Sequence, residues 1–330
     1  MKVSIAESPE LIYVVKTYYD VQKLRVACLN RTKVTEFIHC PACKITIPKP
    51  KPTGRRGRKW TGGCPRCGFE NIDTITKEPP QILVKVGEDL KRLEEALYKM
   101  CYEAVSDDPI WINYLQHVKG IGPITAAALL VTLHPSRFRT ISALWKYCNL
   151  HVEFRCPNCG KEYDKETICT CGTLVKGRAP RRRRGERTKG SPWARRLAWL
   201  IAFNIARQGG VYKALYHQFY EESRAKHPDW TDSHVLADAR RRIAKLFLSH
   251  YLQAGRAILG LPVPLPYIVG KGLHQYIPPL KDYGDDPSKD EFYRMVLERI
   301  LPEANIKKEW YDALIEDLKH AAKAKPPKQK

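Results

Sequence analysis

The sequence predicts a mainly α-helical protein, built from a helix-hairpin-helix domain and two small four-cysteine ribbons with short β-strands. Apolar residues recur every three or four positions in several long segments, which is the spacing of one face of a helix. Two such segments flank the turn Gly120-Ile121-Gly122, and this pattern is typical of a helix-hairpin-helix. Eight of the eleven cysteines fall into two groups of four, which predicts the two ribbons.

Composition and periodicity divide the chain into four regions. They are residues 1–80, an N-terminal ribbon region with a basic loop; 81–106, a helical arm; 107–255, the helix-hairpin-helix domain with a second ribbon inserted at 152–175; and 256–330, a Pro-rich wrap, C-terminal helices and a basic tail. Within the first region, Leu11–Val15 and Val34–Ile38 are β-rich, and Tyr18–Asn30 has the pattern of a short helix.

The charge of the chain is strongly positive. Lys and Arg number 57 against 35 Asp and Glu, giving a formal net charge of +22. Such a surplus favours a polyanionic partner, nucleic acid first. Solubility alone predicts an even spread, whereas residues 49–59 carry six cations without an acid and residues 176–196 carry ten cations with only Glu186. A membrane surface fits less well, because neither run lies on an apolar amphipathic helix.

The expected compartment is the cytoplasm. No stretch approaches the roughly 20 apolar residues of a membrane span. The first ten residues contain no long apolar segment of the kind found in signal peptides. Eleven cysteines in a cytoplasmic chain indicate metal binding rather than disulfides.

The first cysteine group predicts a structural zinc site. Two Cys-x-x-Cys knuckles lie 20 residues apart, and four thiolates complete a tetrahedral site with no open position for catalysis. A redox Cys-x-x-Cys is the alternative, but redox motifs do not come as spaced pairs. The predicted ligands are Cys40, Cys43, Cys64 and Cys67.

A basic loop lies between the two knuckles. It runs from Pro48 to Trp60 and is rich in Pro, Gly and cations, so a mobile loop that clamps nucleic acid is expected. Its predicted contacts are Arg55, Arg56, Arg58 and Lys59.

The second cysteine group combines one Cys-x-x-Cys with one Cys-x-Cys, nine residues apart. We again expect zinc, in a compact ribbon that lets an insertion too small for its own core fold. The predicted ligands are Cys156, Cys159, Cys169 and Cys171.

A long amphipathic helix is predicted from Ile82 to Val105. Apolar residues follow a rhythm of three and four, and charged residues fill the other positions. Two interpretations remain open, a coiled-coil arm that joins two copies of the chain and a single packed helix.

The hairpin turn is the predicted seat of a phosphate. Gly120 and Gly122 can adopt positive φ and leave no side chain in front of the backbone. Pro123 suits the first turn of the next helix, whose N-terminal N–H groups favour an anion. The alternative is an ordinary helix–helix turn. The predicted contacts are Lys119, Gly120, Ile121, Gly122 and Thr125.

A basic track is predicted after the second ribbon. A solvated charge run is the alternative, but four adjacent arginines in a chain with a phosphate-binding turn favour contact with a nucleic-acid backbone. Its members are Arg181, Arg182, Arg183, Arg184, Lys189, Arg195 and Arg196.

Several motifs after the hairpin are shared with one protein family. They are Ser136-Arg-Phe-Arg139, the helix Trp145–Leu150, the segment Thr188–Arg196 and the stretch Ala239–Leu246. Together with the hairpin they resemble the C-terminal domain of DEDD-type insertion-sequence transposases, the Piv-like recombinases guided by a bridge RNA. The resemblance covers roughly residues 82–254 and implies binding of nucleic acid.

Two departures from that family bear on catalysis. The family's RNase-H-like domain holds metal with four acidic residues, and residues 1–80 have no such spacing of acids. The family's nucleophilic serine precedes the Thr-Lys segment, but no serine lies between Leu150 and Thr188. Ser191, at the family's Asn position, is the candidate nucleophile that remains, and no neighbouring base is evident.

The expected function is therefore a nucleic-acid-binding protein with two structural Zn²⁺ ions, with DNA favoured over RNA and strand cleavage not expected. One alternative is an active recombinase or a recombinase subunit. The other is an RNA- or ribosome-associated zinc-ribbon adaptor, since two Cys-Pro-x-Cys knuckles in a basic chain fit that as well.

Overall fold

The computed structural model describes residues 10–33, 36–49, 60, 62–180, 185–186, 189–266, 276–284 and 286–323. It divides the chain into two compact units, one of Tyr13–Met100 and one of Met1–Ile12 with Cys101–Lys330. The fold is mainly helical with a few short antiparallel strands, which confirms the predicted fold class. No helix in the described ranges combines the length and the apolar character needed to cross a membrane.

The smaller unit contains a three-stranded sheet and all but the outer ends of two helices. These elements are α1 (Leu11–Thr32), β1 (Glu36–His39), β2 (Thr46–Pro48), β3 (Asp73–Thr76) and α2 (Gln81–Val105). The strands are antiparallel in the order β2-β1-β3, with Ile38 opposite Ile47 and Thr74. Glu94 of α2 accepts a hydrogen bond from Gln22 of α1 at 3.0 Å and forms an ion pair with Arg25. These contacts join the two helices.

The start of α1 corrects one expectation. The β-rich run Leu11–Val15 belongs to a single helix that continues to Thr32. Leu11 and Val15 are buried and lie four residues apart, one helical turn. The helical pattern of the following residues outweighs the β propensity of Val14 and Val15, because propensity is weaker than packing.

Eight helices form most of the described part of the larger unit. They are α3 (Pro109–Asn113), α4 (Pro123–Leu133), α5 (Ile141–Tyr147), α6 (Pro192–Gln208), α7 (Val211–Lys226), α8 (Asp232–Ile258), α9 (Glu291–Arg299) and α10 (Lys308–Lys323). Short 3₁₀ turns occur at Leu115–His117, Pro135–Arg137, Pro287–Lys289 and Pro302–Ala304. Helices α6, α7 and α8 pack on one another; α4 packs on α6, α5 on α8, and α10 on α7.

The second ribbon follows α5 in this unit. Its strands are β4 (Glu153–Arg155), β5 (Glu162–Tyr163), β6 (Thr167–Ile168), β7 (Leu174–Val175) and β8 (Gly177–Arg178). One antiparallel sheet has the order β5-β4-β8, and β6 pairs with β7. The apolar core is very small, with Val175 and two cysteines buried and Phe154 and Tyr163 packed against them.

The Pro-rich region is without helix or strand in its described parts, 261–266 and 276–284. Tyr276, Leu280, Lys281 and Tyr283 are buried there. This segment therefore contributes side chains to the core of the larger unit although it has no regular secondary structure.

Candidate functional site

The hairpin turn joins two short helical elements to α4. Asp108 caps α3 by accepting hydrogen bonds from the N–H groups of Ile110 at 2.8 Å and Trp111 at 3.3 Å. The turn closes where the N–H of Ile121 donates to the carbonyl of Val118 at 3.0 Å. Val118 and Ile121 are buried and anchor the turn in the core. The backbone of the turn is thus fixed by the capped helix α3 before it and by the two buried side chains within it.

The two glycines of the turn have different surroundings. Gly120 has a φ of +98°, and a Cβ there would lie 3.0 Å from the backbone C of Asn204 and the backbone N of Ile205. Gly122 has a φ of −94°, and a Cβ there would meet no atom within 4 Å. The expectation that both glycines adopt positive φ holds only for Gly120. Gly120 permits packing on α6, whereas Gly122 leaves the start of α4 open.

The other predicted turn residues divide in the same way. Lys119 is exposed, whereas the side chains of Ile121 and Thr125 are buried. Ile121 and Thr125 can therefore reach a ligand only through the backbone. The N–H groups of Ile124 and Thr125 lie in the first turn of α4, where an α-helix provides no acceptor for them.

A carboxylate from the Pro-rich region braces the turn. Asp282 accepts hydrogen bonds from the N–H of Lys119 at 3.1 Å and the N–H of Val211 at 3.0 Å. Its own N–H donates to the carbonyl of His117 at 2.9 Å. Asp282 therefore ties the turn to the start of α7. No sequence pattern indicated this residue, because 163 positions separate it from Lys119.

Lys281 provides a second brace. Its buried ammonium donates to the carbonyl of Asn113 at 3.1 Å and pairs with Asp290 at 2.8 Å. Burial outweighs the pairing with Asp290 and lowers the pKa of Lys281. The end of α3 is thereby linked to the residues just before α9.

A buried network of hydrogen bonds links the residue that follows α3 to α7 and α8. The Tyr114 and Tyr212 hydroxyls are 2.7 Å apart, and Tyr212 lies 2.9 Å from Nδ1 of His250. Nε2 of His250 lies 2.8 Å from the carbonyl of Ile277, so Nε2 donates and Nδ1 accepts from Tyr212. Burial lowers the pKa of His250 to about 3, so its imidazole is neutral. The network is internal and supports the hairpin.

The first cysteine group has the geometry of a metal site. The Sγ atoms of all four residues lie within 4.8 Å of one another, and both Cys40–Cys67 and Cys43–Cys64 are separated by 3.6 Å. A tetrahedral zinc ion with bonds of about 2.3 Å would place its sulfurs about 3.8 Å apart. Backbone N–H groups of Cys67 and Arg66 lower the pKa of Cys64 to about 6, which favours the thiolate that a metal needs.

The second group is arranged similarly. Its four Sγ atoms also lie within 4.8 Å of one another, with Cys156–Cys171 at 3.5 Å and Cys159–Cys169 at 3.3 Å. The Tyr163 hydroxyl donates to Cys169 at 3.1 Å. The N–H of Cys171 and this hydroxyl lower the pKa of Cys169 to about 5. Both predicted ligand sets are thus assembled and could each hold a metal ion.

The predicted basic contacts are only partly described. Arg55, Arg56, Arg58, Lys59 and the four arginines Arg181–Arg184 lie outside the described residues.

Three members of the basic track are placed by the structure. Lys189 pairs with Glu162 at 2.6 Å, and Arg195 donates to the carbonyl of Pro180 at 3.1 Å. Arg196 is exposed, with its guanidinium 6.0 Å from the ring centroid of Trp193. Lys189 and Arg195 thus make polar contacts within the protein, whereas Arg196 is exposed beside the Trp193 ring.

Ser191 lies at the start of α6. Its hydroxyl accepts a hydrogen bond from the N–H of Ala194 at 3.2 Å, and its own N–H donates to the carbonyl of Tyr147 at 2.8 Å. These contacts make Ser191 the N-cap of α6 and attach this helix to α5.

Comparison with known proteins gives one match. The family model described as Transposase IS116/IS110/IS902 family matches residues 112–153. This segment runs from α3 to β4 and contains the whole hairpin turn, α4 and α5, but none of the metal-ligand candidates. No curated protein and no solved structure gives a significant match. The chain is therefore similar to this transposase family over the hairpin, a shorter part than the motifs in the sequence suggest.

Proposed function

We infer that this protein binds nucleic acid, DNA in preference to RNA, as a zinc-stabilised relative of the transposase C-terminal domain that does not cleave strands. The observation that carries this proposal is the open turn at Gly122. This turn exposes the start of α4 next to Lys119, within the segment that matches the transposase family model.

The turn suits a phosphate for three physical reasons. The N–H groups of Ile124 and Thr125 have no intrahelical acceptor, and the N-terminus of a helix favours an anion. Lys119 adds an exposed cation. The packing of Gly120 on α6 and the brace from Asp282 hold the turn before any ligand arrives, so little ordering is required on binding.

The absence of strand cleavage is supported by the role of Ser191. A serine nucleophile requires a neighbouring base. Among the described residues, the hydroxyl of Ser191 has the N–H of Ala194 as its hydrogen-bond partner and no titratable side chain. If the chain is an active recombinase instead, Ser191→Ala will abolish a covalent protein–DNA adduct.

The two cysteine groups are proposed to hold structural Zn²⁺. Tetrahedral sites made only of cysteine sulfur hold zinc or iron in proteins. Zinc is the metal without redox chemistry and is the usual ion of closed structural sites. Both sites lack an open position, so their contribution is to folding and to the placement of the basic residues beside them.

We test the open turn with Gly122→Asp. Aspartate is a better N-cap than glycine by a few tenths of a kcal/mol, and no atom lies within 4 Å of the new Cβ. The variant should therefore fold at least as stably as the wild type. Its carboxylate would repel a phosphate at the turn, and we expect the Kd for duplex DNA to rise about tenfold or more, measured by fluorescence anisotropy.

Gly122→Asn is the matched control. It adds a side chain of the same size that caps the helix without charge, and its affinity should lie between those of the wild type and Gly122→Asp. Equal affinity of all three proteins would refute the proposed site. Tighter binding of structured RNA than of duplex DNA by the wild type would favour the adaptor function over the DNA-binding one.

We infer further that the helical arm joins two copies of the chain. Ile82, Val86, Leu93 and Met100 of α2 are exposed, with exposures of 66%, 38%, 47% and 51%. Their spacing of four, seven and seven residues places them on one stripe of the helix. An exposed apolar stripe of this spacing is what a coiled-coil partner covers.

A further inference from the structure

We propose that the exposed face of α6, together with Arg240 of α8, forms a second nucleic-acid contact surface, one that binds the phosphate backbone of a duplex. We call it the α6 surface, defined by Arg196, Phe203, Arg207 and Arg240. The proposal rests on the nucleic-acid binding proposed above and adds a site separate from the hairpin turn.

The α6 surface begins with a regular stripe along the helix. Trp193, Arg196, Leu200, Phe203 and Arg207 follow one another at intervals of three, four, three and four residues, so they share one face. Arg196, Phe203 and Arg207 are exposed, and α6 contains no acidic residue. Arg196 and Arg207 are eleven residues apart, which is about 16 Å along the helix and about five base-pair steps of duplex DNA.

Phe203 brings two guanidinium groups together. Its ring is 41% exposed, and the guanidinium carbons of Arg207 and Arg240 lie 5.2 Å and 5.6 Å from its centroid. The attraction between a cation and an aromatic ring holds both groups near the ring. Two helices thereby bring the exposed Arg207 and the half-buried Arg240 to a single place.

The arginines of the α6 surface lack acidic partners. Within the described ranges, no carboxylate forms an ion pair with Arg196, Arg207 or Arg240. Arg242 provides a contrast on α8, since its guanidinium lies 4.2 Å from the Phe219 ring and also pairs with Glu222. A cation–aromatic contact that serves stability alone is expected to include an acidic partner, as that of Arg242 does. Uncompensated like charges gathered around one ring are instead suited to an external polyanion.

The α6 surface adjoins the hairpin. Gly120 packs directly on the backbone of Asn204 and Ile205, the two residues after Phe203. The turn therefore rests on the stretch of α6 that also carries Phe203 and Arg207. The two sites can act along one stretch of backbone.

The chemistry favours a duplex over a single strand. Sequence-independent binding of single strands depends on open aromatic rings on which bases stack. Two guanidinium groups already lie near the Phe203 ring, which positions the arginines and leaves less ring for stacking. Guanidinium groups that are held in place along one face of a helix suit the regularly spaced phosphates of a duplex.

The test is the double variant Arg207→Gln with Arg240→Gln. The control is Lys226→Gln with Arg294→Gln, which removes the same charge at two exposed positions outside the α6 surface, on α7 and α9. Binding of duplex DNA and of one of its single strands is measured at increasing salt concentrations, after thermal unfolding has shown that both variants fold. We expect the test variant to bind the duplex about tenfold more weakly. We also expect the negative slope of log K against log salt to lose about two in magnitude, close to 0.9 for each lost phosphate contact.

The outcomes separate this surface from the hairpin. If the duplex affinity and salt slope of the test variant equal those of the control while Gly122→Asp still weakens binding, the α6 surface is refuted and the hairpin site stands. If the single strand loses as much affinity as the duplex, the assignment to a duplex is wrong. If the wild type binds neither nucleic acid, the proposed function fails and the surface fails with it.

Discussion

At the scale of single residues, the two glycines of the hairpin turn differ in the atoms that a side chain at each position would meet. A Cβ at position 120 would meet the backbone of α6, and a Cβ at position 122 would meet no atom within 4 Å. A backbone neighbour cannot move aside as a flexible side chain can. Gly120 is therefore required by the fold, whereas the fold leaves the space in front of Gly122 open.

The first consequence is a difference in stability. Gly120→Ala must place a methyl group 3.0 Å from backbone atoms at a φ of +98°, and we expect it to lower the free energy of unfolding by about 1–3 kcal/mol. Gly122→Ala has no contact to break and should change it by less than about 1 kcal/mol. Urea unfolding of the two variants measures the difference, and similar losses would show that the turn does not rest on α6 as described.

The sequence predicted the turn residues but not their division of roles. The pattern Gly120-Ile121-Gly122 identifies a turn, while the partner of Gly120 lies more than 80 positions away on α6. No sequence pattern points to Asp282 or His250 either, because each acts through hydrogen bonds between segments that are distant in sequence. Local motifs reveal local backbone geometry, and they carry no information about which distant segment packs on it.

At the scale of elements, the second ribbon depends on its ligands. Its buried apolar core is limited to Val175 and two cysteines, with Phe154 and Tyr163 beside them. Five strands of two or three residues bury too little apolar surface to fold by themselves, so we expect this ribbon to require a metal ion.

Removal of one ligand should therefore unfold one ribbon. The two groups of four cysteines predict two metal ions per chain, and Cys169→Ser should retain about one, measured by elemental analysis of the purified protein. Limited proteolysis should then cut between residues 156 and 178. Cys148→Ala is the control, since Cys148 is buried outside both groups and its loss should leave both metals. Equal metal content in the two variants would contradict the assignment.

Periodicity was a good guide to the long helix α2 and a poor one at the N-terminus. The sequence predicted a helix from Ile82 to Val105, close to the observed bounds of α2, because this segment has an extended apolar face. The strand expected at Leu11–Val15 was wrong because a short run of apolar and aromatic residues fits a strand or a helix equally well. Only the residues that follow decide between them.

At the scale of the whole molecule, charge and the proposed self-association would determine how the chain meets the nucleic acid that we propose as its partner. A net charge of +22 gives strong attraction to any polyanion. Two copies joined by their arms would present two hairpins to one nucleic acid, and the second contact would gain from the first.

Self-association through the arm can be tested by one substitution on its apolar stripe. Leu93 is 47% exposed, and Leu93→Asp places a charge where a partner helix would pack. We expect a shift from dimer to monomer in sedimentation equilibrium, without loss of helix content. Leu24→Asp on α1, where Leu24 is 56% exposed, is the control and should remain dimeric. A wild-type protein that is monomeric at all concentrations would refute the proposed role of the arm.

The brace formed by Asp282 also bears on the order in which the protein folds. Lys119 and Val211 both donate backbone hydrogen bonds to this one carboxylate. During synthesis, the hairpin and α7 leave the ribosome well before residue 282, and domains fold as units from the N-terminal end. A nascent chain therefore has the turn before it has the residue that holds the turn in place. The turn that we propose as the nucleic-acid site therefore reaches its final form only after residue 282 has been made, and tight binding there would be delayed until then.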